Sequence, residues 1–228
     1  EGGNVANLHG QAAGAFQPDS PLGVAGLEHG CDIVMMSLSK HVGGHSDLMM
    51  GSASAGERWY RSLRRTSQDL GHVVSPDDAA LASRGLRTMA LRLQRGTESA
   101  IRIAQWLDQQ PQVAQVMCPL LPGNPGYDLW KRDFTGGCGL FSFVLDTTDA
   151  GACGRVVDAL DLFGIGYSWG GFESLALPIF PQQHRGVMGT PNLAEGGARA
   201  AIRLSIGLED PEDLIADLAQ ALDTMDDR

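Results

Sequence analysis

DIVMMSLSKHVGGHSDLMMGSASA, residues 32–55, decides how this chain is read. Residues 32–36 are a short apolar run and read as a buried strand. Residues 48–55 read as a second strand. Between them lies the polar segment SLSKHVGGHSD, residues 37–47. Lys40 therefore stands in a loop at the end of a strand. The hydroxyls of Ser37 and Ser39 precede it, and Gly43-Gly44 follow. Hydroxyl donors suit a phosphate. A lysine that forms an imine must first lose its proton, and partial desolvation lowers its pKa toward that state. The plain alternative is a surface lysine in a polar loop. His41 and His45 are four apart, with Asp47 nearby, a spacing that would suit a metal on a helix. Two consecutive glycines argue against a helix there. A hydrogen-bonded structural His45 is preferred to a metal ligand, and no metal is expected.

Composition makes Lys40 stand out. The chain has 228 residues, 43% of them hydrophobic and 19% charged, enough for one sizeable core or two modest ones. Of 17 basic residues 15 are arginine; the two lysines are Lys40 and Lys131. Arginine stays charged in a protein, so any chemistry needing a neutral amine side chain has two candidates. The net charge of −10 repels phosphate backbones, which argues against nucleic acid as a partner. No apolar run reaches membrane-spanning length and no secretory leader pattern opens the chain, so no membrane partner is expected. Cys31, Cys118, Cys138 and Cys153 form no C-x-x-C pair. Reduced thiols and a cytoplasmic location are the expectation. The chain opens Glu-Gly-Gly-Asn without a methionine, which reads as a fragment or a processed product.

Along the chain, residues 1–31 are rich in Gly, Ala and Pro and read as loop. Residues 57–70 look helical, with Gly71 as the stop. Ser75-Pro76 places an N-cap before a proline, so a second helix starts there. Apolar spacing predicts one long helix over 86–109, with a kink at Gly96. Strands are expected at 113–117, 139–145, 174–180 and 201–206, with a short extended piece at 165–168. Helices are expected at 150–163 and 210–225, and loops at 119–125 and 182–197. Strands alternating with helices give an α/β or α+β chain, with the long helix as the boundary between two lobes.

Five stretches, in this order, resemble one family. They are SLSKHVGGHSDLMMG (37–51), SRGLRTMALRLQRG (83–96), WKRDFTGGCGLFSFVL (130–145), GYSWGGFESL (166–175) and IRLSIGLEDPEDLIADL (202–218). The family is the pyridoxal 5'-phosphate-dependent enzymes of cysteine and methionine metabolism, and the pattern is nearest its cystathionine β-lyases. The resemblance implies an α/β fold type I transferase architecture, aspartate-aminotransferase-like. Residues 1–86 would be the end of the large cofactor domain, with 1–19 atypical and disordered. Residues 87–228 would be the C-terminal domain, beginning with a long helix.

The resemblance also implies roles. Lys40 corresponds to the lysine that binds pyridoxal phosphate covalently and then removes the substrate's α-proton. Ser37 and Ser39 correspond to hydroxyls near the cofactor phosphate. Arg203 corresponds to the arginine that binds the substrate carboxylate and so orients the Cα–H bond. A strand-edge surface arginine is the alternative for that residue. Ser168 and Trp169 correspond to residues lining the substrate pocket. A tryptophan at 169 favours β-lyase over the γ-synthase and γ-lyase relatives, which carry a smaller side chain there; core packing is its alternative. Lys131 has no implied role and reads as a solvated loop residue.

The implied reaction cleaves an amino-acid thioether. Cystathionine would give homocysteine, pyruvate and ammonia, a step of methionine biosynthesis. The implied assembly is a homo-oligomer, a tetramer built from dimers. The family also carries an aspartate on a strand upstream of the lysine, pairing with the cofactor's ring nitrogen. Aligned backward from Lys40, that segment falls at residues 15–18, AFQP, which hold no aspartate; Asp19 follows in a turn. Two readings stay open: an N-terminally truncated carbon–sulfur lyase, and a non-catalytic fragment of one.

Overall fold

A computed structural model describes residues 14–16, 22–23, 25–149, 151–179 and 201–226. The chain divides into two compact units. One comprises Glu1–Gln94 with Asp133–Cys138, the other Arg95–Arg132 with Gly139–Arg228.

The first unit contains a three-stranded sheet in the order β1-β2-β3, with β1 at Gly14–Phe16, β2 at Ile33–Ser37 and β3 at Gly51–Ala55. Strand β1 runs parallel to β2 and β3 antiparallel to it. The strand β1 corrects the reading of residues 1–31 as loop throughout. Gly-Ala-Phe has little strand propensity of its own, and its order comes from pairing with a segment far along the chain. The expectation of a buried strand is met only in part by β2. Val34 packs with Cys31, while Met35 is half exposed.

Helix α1 follows at Glu57–Asp69 and buries none of its residues. It stops at Gly71, whose φ of +70° is the left-handed conformation glycine adopts without penalty. Helix α2, Pro76–Leu86, starts as expected, with the Ser75 hydroxyl accepting from the Asp78 N–H at 3.0 Å. A turn at Arg87 and Thr88 then separates it from α3, Met89–Leu107, so the long helix begins three residues later than its apolar spacing suggested. The division between the units falls inside α3. Gly96 does not interrupt the helix. A Cβ there would stand 3.4 Å from the carbonyl of Ile206, so the glycine permits close approach of helix and strand end.

The second unit holds a five-stranded sheet in the order β4-β5-β8-β7-β6. The strands are β4 Val113–Met117, β5 Leu140–Leu145, β6 Gly164–Ile165, β7 Leu175–Ile179 and β8 Ala201–Ser205. Strand β8 is central, antiparallel to both β5 and β7, with Ser142 and Leu177 opposite Arg203. Helix α5, Ala152–Asp158, and helix α6, Pro211–Leu222, contribute with α3 to one apolar core. Phe143, Ile103, Leu107, Leu145, Ile202 and Leu214 are fully buried within it.

Helix α5 is shorter than the expected 150–163. The Asp217 carboxylate from α6 accepts the N–H groups of Asp161 (2.9 Å) and Leu162 (2.8 Å) and fixes the chain past the helix end. A short helix, α4 at Tyr127–Asp133, replaces the solvated loop expected around Lys131, whose ammonium lies 5.9 Å from the Tyr127 ring centroid. The expected loop at 182–197 lies outside the described residues.

All four cysteines are free and buried. Burial pushes the Cys153 thiol up to about 12 and raises that of Cys118. Among the described residues no helix is long and apolar enough to cross a membrane. Truncating the largest core side chain tests the packing. Phe143→Ala should destabilise the second unit by about 3–5 kcal/mol, read from denaturant unfolding.

Candidate active site

Strand β2 ends at Ser37 and passes into one irregular helical turn, Leu38–Val42. Lys40 sits mid-turn with φ −93° and ψ −113°, outside helical values. The turn is closed by Gly43 N–H donating to the Leu38 carbonyl (2.8 Å) and Gly44 N–H donating to the Lys40 carbonyl (2.7 Å). Gly44 has φ +71°, so it reverses the chain where another residue would be strained. Lys40 thus follows the carboxyl end of a strand that has a parallel neighbour, the position where open α/β sheets place ligands.

The flanking hydroxyls differ. Ser39 is tied to the start of the next strand. Its hydroxyl donates to the Met50 carbonyl (3.2 Å) and accepts the Met50 N–H (2.8 Å), and its own N–H donates to the same carbonyl (3.1 Å). Its single proton is therefore engaged at the start of β3. Ser37 is half-buried at the last pair of β2 with β3, opposite Gly51. The Nδ1 atom of His45 lies 2.7 Å from the Gly43 carbonyl, a hydrogen bond within the loop. Among the described residues no three His, Cys, Asp or Glu side chains are grouped to hold a metal ion.

The second unit brings Arg203 against the backbone of residues 166–168, which Trp169 follows directly. Arg203 is on the central strand, which excludes the strand-edge reading, and it is half-buried. One of its terminal nitrogens, Nη2, lies within donating distance of the carbonyls of Gly166 (3.3 Å), Tyr167 (2.8 Å) and Ser168 (3.2 Å). Its Nε is buried without a hydrogen-bond partner. Burial lowers the guanidinium's pKa, and the Tyr167 side chain opposes the shift; an arginine remains cationic regardless. A buried, charged N–H without an acceptor is costly, and a guanidinium pairs strongly with a carboxylate.

Residues inside the quoted motifs that were given no role of their own hold the same loop. Alternate positions along β8 and beyond it grip residues 166–174. The Ser205 hydroxyl accepts the Gly170 N–H (3.3 Å), and the Gly207 N–H donates to the Ser174 hydroxyl (2.9 Å). The Glu209 carboxylate accepts both the N–H (2.7 Å) and the hydroxyl (2.8 Å) of Ser174. The signal was present as a period-two row of Arg, Ser, Gly and Glu running out of an apolar strand, opposite a loop rich in glycine and serine.

Comparison with known proteins supplies the class. The family model for Cys/Met metabolism PLP-dependent enzymes matches residues 18–223. The chain is 43% identical over 193 residues to cystathionine β-lyase of Escherichia coli, covering 84% of this chain and 48% of that one. It is 40% identical over 198 residues to human cystathionine γ-lyase, covering 86% and 48%. The crystal structure of a cystathionine γ-synthase from Xanthomonas oryzae pv. oryzae, in complex with aminoacrylate and cysteine, superposes with a TM-score of 0.82. Its identity to this chain is 34%, over 95% of this chain and 56% of that one. The architecture is therefore that of the fold type I enzymes that depend on pyridoxal phosphate. This chain belongs to the Cys/Met metabolism PLP-dependent family. It spans about half the length of the curated relatives it matches.

The residues present fit this cofactor in part. An amine at the end of β2, with a half-buried hydroxyl three residues before it, suits covalent attachment and the phosphate end. The parallel strand beside β2 is occupied, yet its residues, Gly14, Ala15 and Phe16, bring no carboxylate for a ring nitrogen. Asp19 lies outside the described residues.

Proposed function

We propose that this chain carries the lysine-bearing and carboxylate-binding parts of a carbon–sulfur β-lyase that cleaves cystathionine to homocysteine, pyruvate and ammonia, a step of methionine biosynthesis in the cytoplasm. The observation that carries the reading is Arg203, a half-buried guanidinium on the central strand with an unpartnered Nε, whose Nη2 reaches the Ser168 carbonyl. Residues 1–86 would be the end of the large cofactor domain and 87–228 the C-terminal domain, acting within a homo-oligomer.

When bound, pyridoxal phosphate supplies an electron sink that stabilises negative charge at the substrate's α-carbon. Lys40 would hold the cofactor covalently, then accept the α-proton on its freed amine. Ser37 would donate to the phosphate, while Ser39 braces the turn through Met50. Arg203 would bind the α-carboxylate, and Ser168 and Trp169 would border the substrate. The thiolate leaving the β-carbon is homocysteine, and water converts the remaining three-carbon fragment to pyruvate and ammonia.

The products decide between family reactions. With cystathionine and added pyridoxal phosphate, pyruvate and homocysteine should accumulate in equal amounts. Cysteine and 2-oxobutyrate instead would assign γ-elimination. A second reading, a non-catalytic fragment, is favoured by the carboxylate-free β1. It predicts a covalent adduct at Lys40 with neither keto acid released.

A further inference from the structure

The motif SRGLRTMALRLQRG brings Arg92, on α3, against the turn that bears Lys40. Its Nη1 donates to the His41 carbonyl (2.8 Å), and its Nη2 to the carbonyls of Val42 (3.1 Å) and Gly85 (2.7 Å). Its Nε donates to the Thr88 hydroxyl (3.1 Å). Two glycines make the room. A Cβ on Gly44 would fall on the Arg92 guanidinium, and one on Gly85 would collide with the carbonyls of Val42 and Gly43. Burial lowers the pKa of Arg92, the mark of a partly desolvated cation, and bonds from a cation to carbonyls are the strong kind.

The turn is thereby held on both sides of Lys40. Before it, Ser39 is tied to Met50; after it, the next two peptide carbonyls converge on one guanidinium. We propose that Arg92 is the positioning residue for Lys40, fixing the backbone that presents its amine to the cofactor. The proposal rests on reading Lys40 as the cofactor lysine. Arginine is required because its planar fork reaches three carbonyls and a hydroxyl at once; a lysine's ammonium is a single point.

The chain's other lysine provides an internal reference. The protein is incubated with limiting pyridoxal phosphate, reduced with borohydride, digested, and the label at Lys40 is compared with that at Lys131. Arg92→Ala should lower the Lys40:Lys131 ratio by about tenfold or more, the scale expected when a reacting group is misplaced. Arg92→Lys should not restore it. Thr88→Val, an exposed and milder change, should lower it by roughly twofold. A purely structural role would weaken thermal stability without moving the ratio. In parallel, hydrogen exchange at the Gly43 and Gly44 amides should accelerate in Arg92→Ala. An unchanged ratio in both Arg92→Ala and Thr88→Val overturns the proposal. If the unsubstituted chain shows no preference for Lys40, the functional reading fails instead. Amide exchange then decides alone, and unaltered exchange at Gly43 and Gly44 removes Arg92 as the anchor of the turn.

Discussion

Lys40→Ala should abolish covalent capture of pyridoxal phosphate and, with it, release of pyruvate from cystathionine. Two side-chain amines exist in the chain, and the other, Lys131, is exposed on α4 over a tyrosine ring. A visible absorbance band that survives gel filtration in the unsubstituted protein should be missing from the variant. Turnover should fall by roughly 10³-fold or more, since in the role proposed for Lys40 one amine would serve both as the anchor and as the general base. Lys40→Arg sharpens the test. It keeps the charge and most of the length, but a guanidinium neither forms the covalent bond nor gives up its proton. Arg should therefore fail as completely as Ala. If Lys40→Arg retained the band, or if peptide mapping after reduction put the label on Lys131, the role given to Lys40 would be wrong.

Much of this arrangement was legible in the sequence because it is local. The strand before Lys40, the glycine pair after it, the Ser75 cap and the apolar strands β5 and β8 each announce themselves within a few residues. The candidate site residues were legible for a different reason, since five motifs in fixed order carry a resemblance that no single spacing would.

What was missed depends on partners far away. Strand β1 exists through pairing with β2, and Gly-Ala-Phe gives no propensity signal for it. Arg92 acts on carbonyls 50 and 51 residues away, and a backbone carbonyl leaves no trace in residue type. Ser174 and Glu209 are 35 apart and meet only once β7 and β8 pair. Helix α4 was hidden for yet another reason: its seven residues bury none of their side chains, so no apolar period marks it.

Arg203→Lys should separate carboxylate recognition from cofactor capture. The variant keeps a cation on the central strand, so Lys40 should still take up the cofactor. It loses the fork geometry that lets a guanidinium meet both oxygens of a carboxylate. Replacing two charge-assisted bonds by one weaker contact should cost about 3 kcal/mol, or roughly hundredfold in kcat/KM for cystathionine.

The sharper readout is selectivity. The analogue of cystathionine that lacks the α-carboxylate should react far more slowly than cystathionine with the unsubstituted protein. With Arg203→Lys that gap should narrow by about the same hundredfold, because only the weaker contact still distinguishes the two. Arg203→Ala should go further. Its loss also frees the carbonyls of Gly166, Tyr167 and Ser168 from Nη2. Hydrogen exchange should then rise across residues 166–170, while the Ser174–Glu209 anchor keeps the far end of the loop slow. Discrimination against the decarboxylated analogue that persists undiminished in Arg203→Lys would assign Arg203 to holding the loop and place carboxylate recognition on another residue.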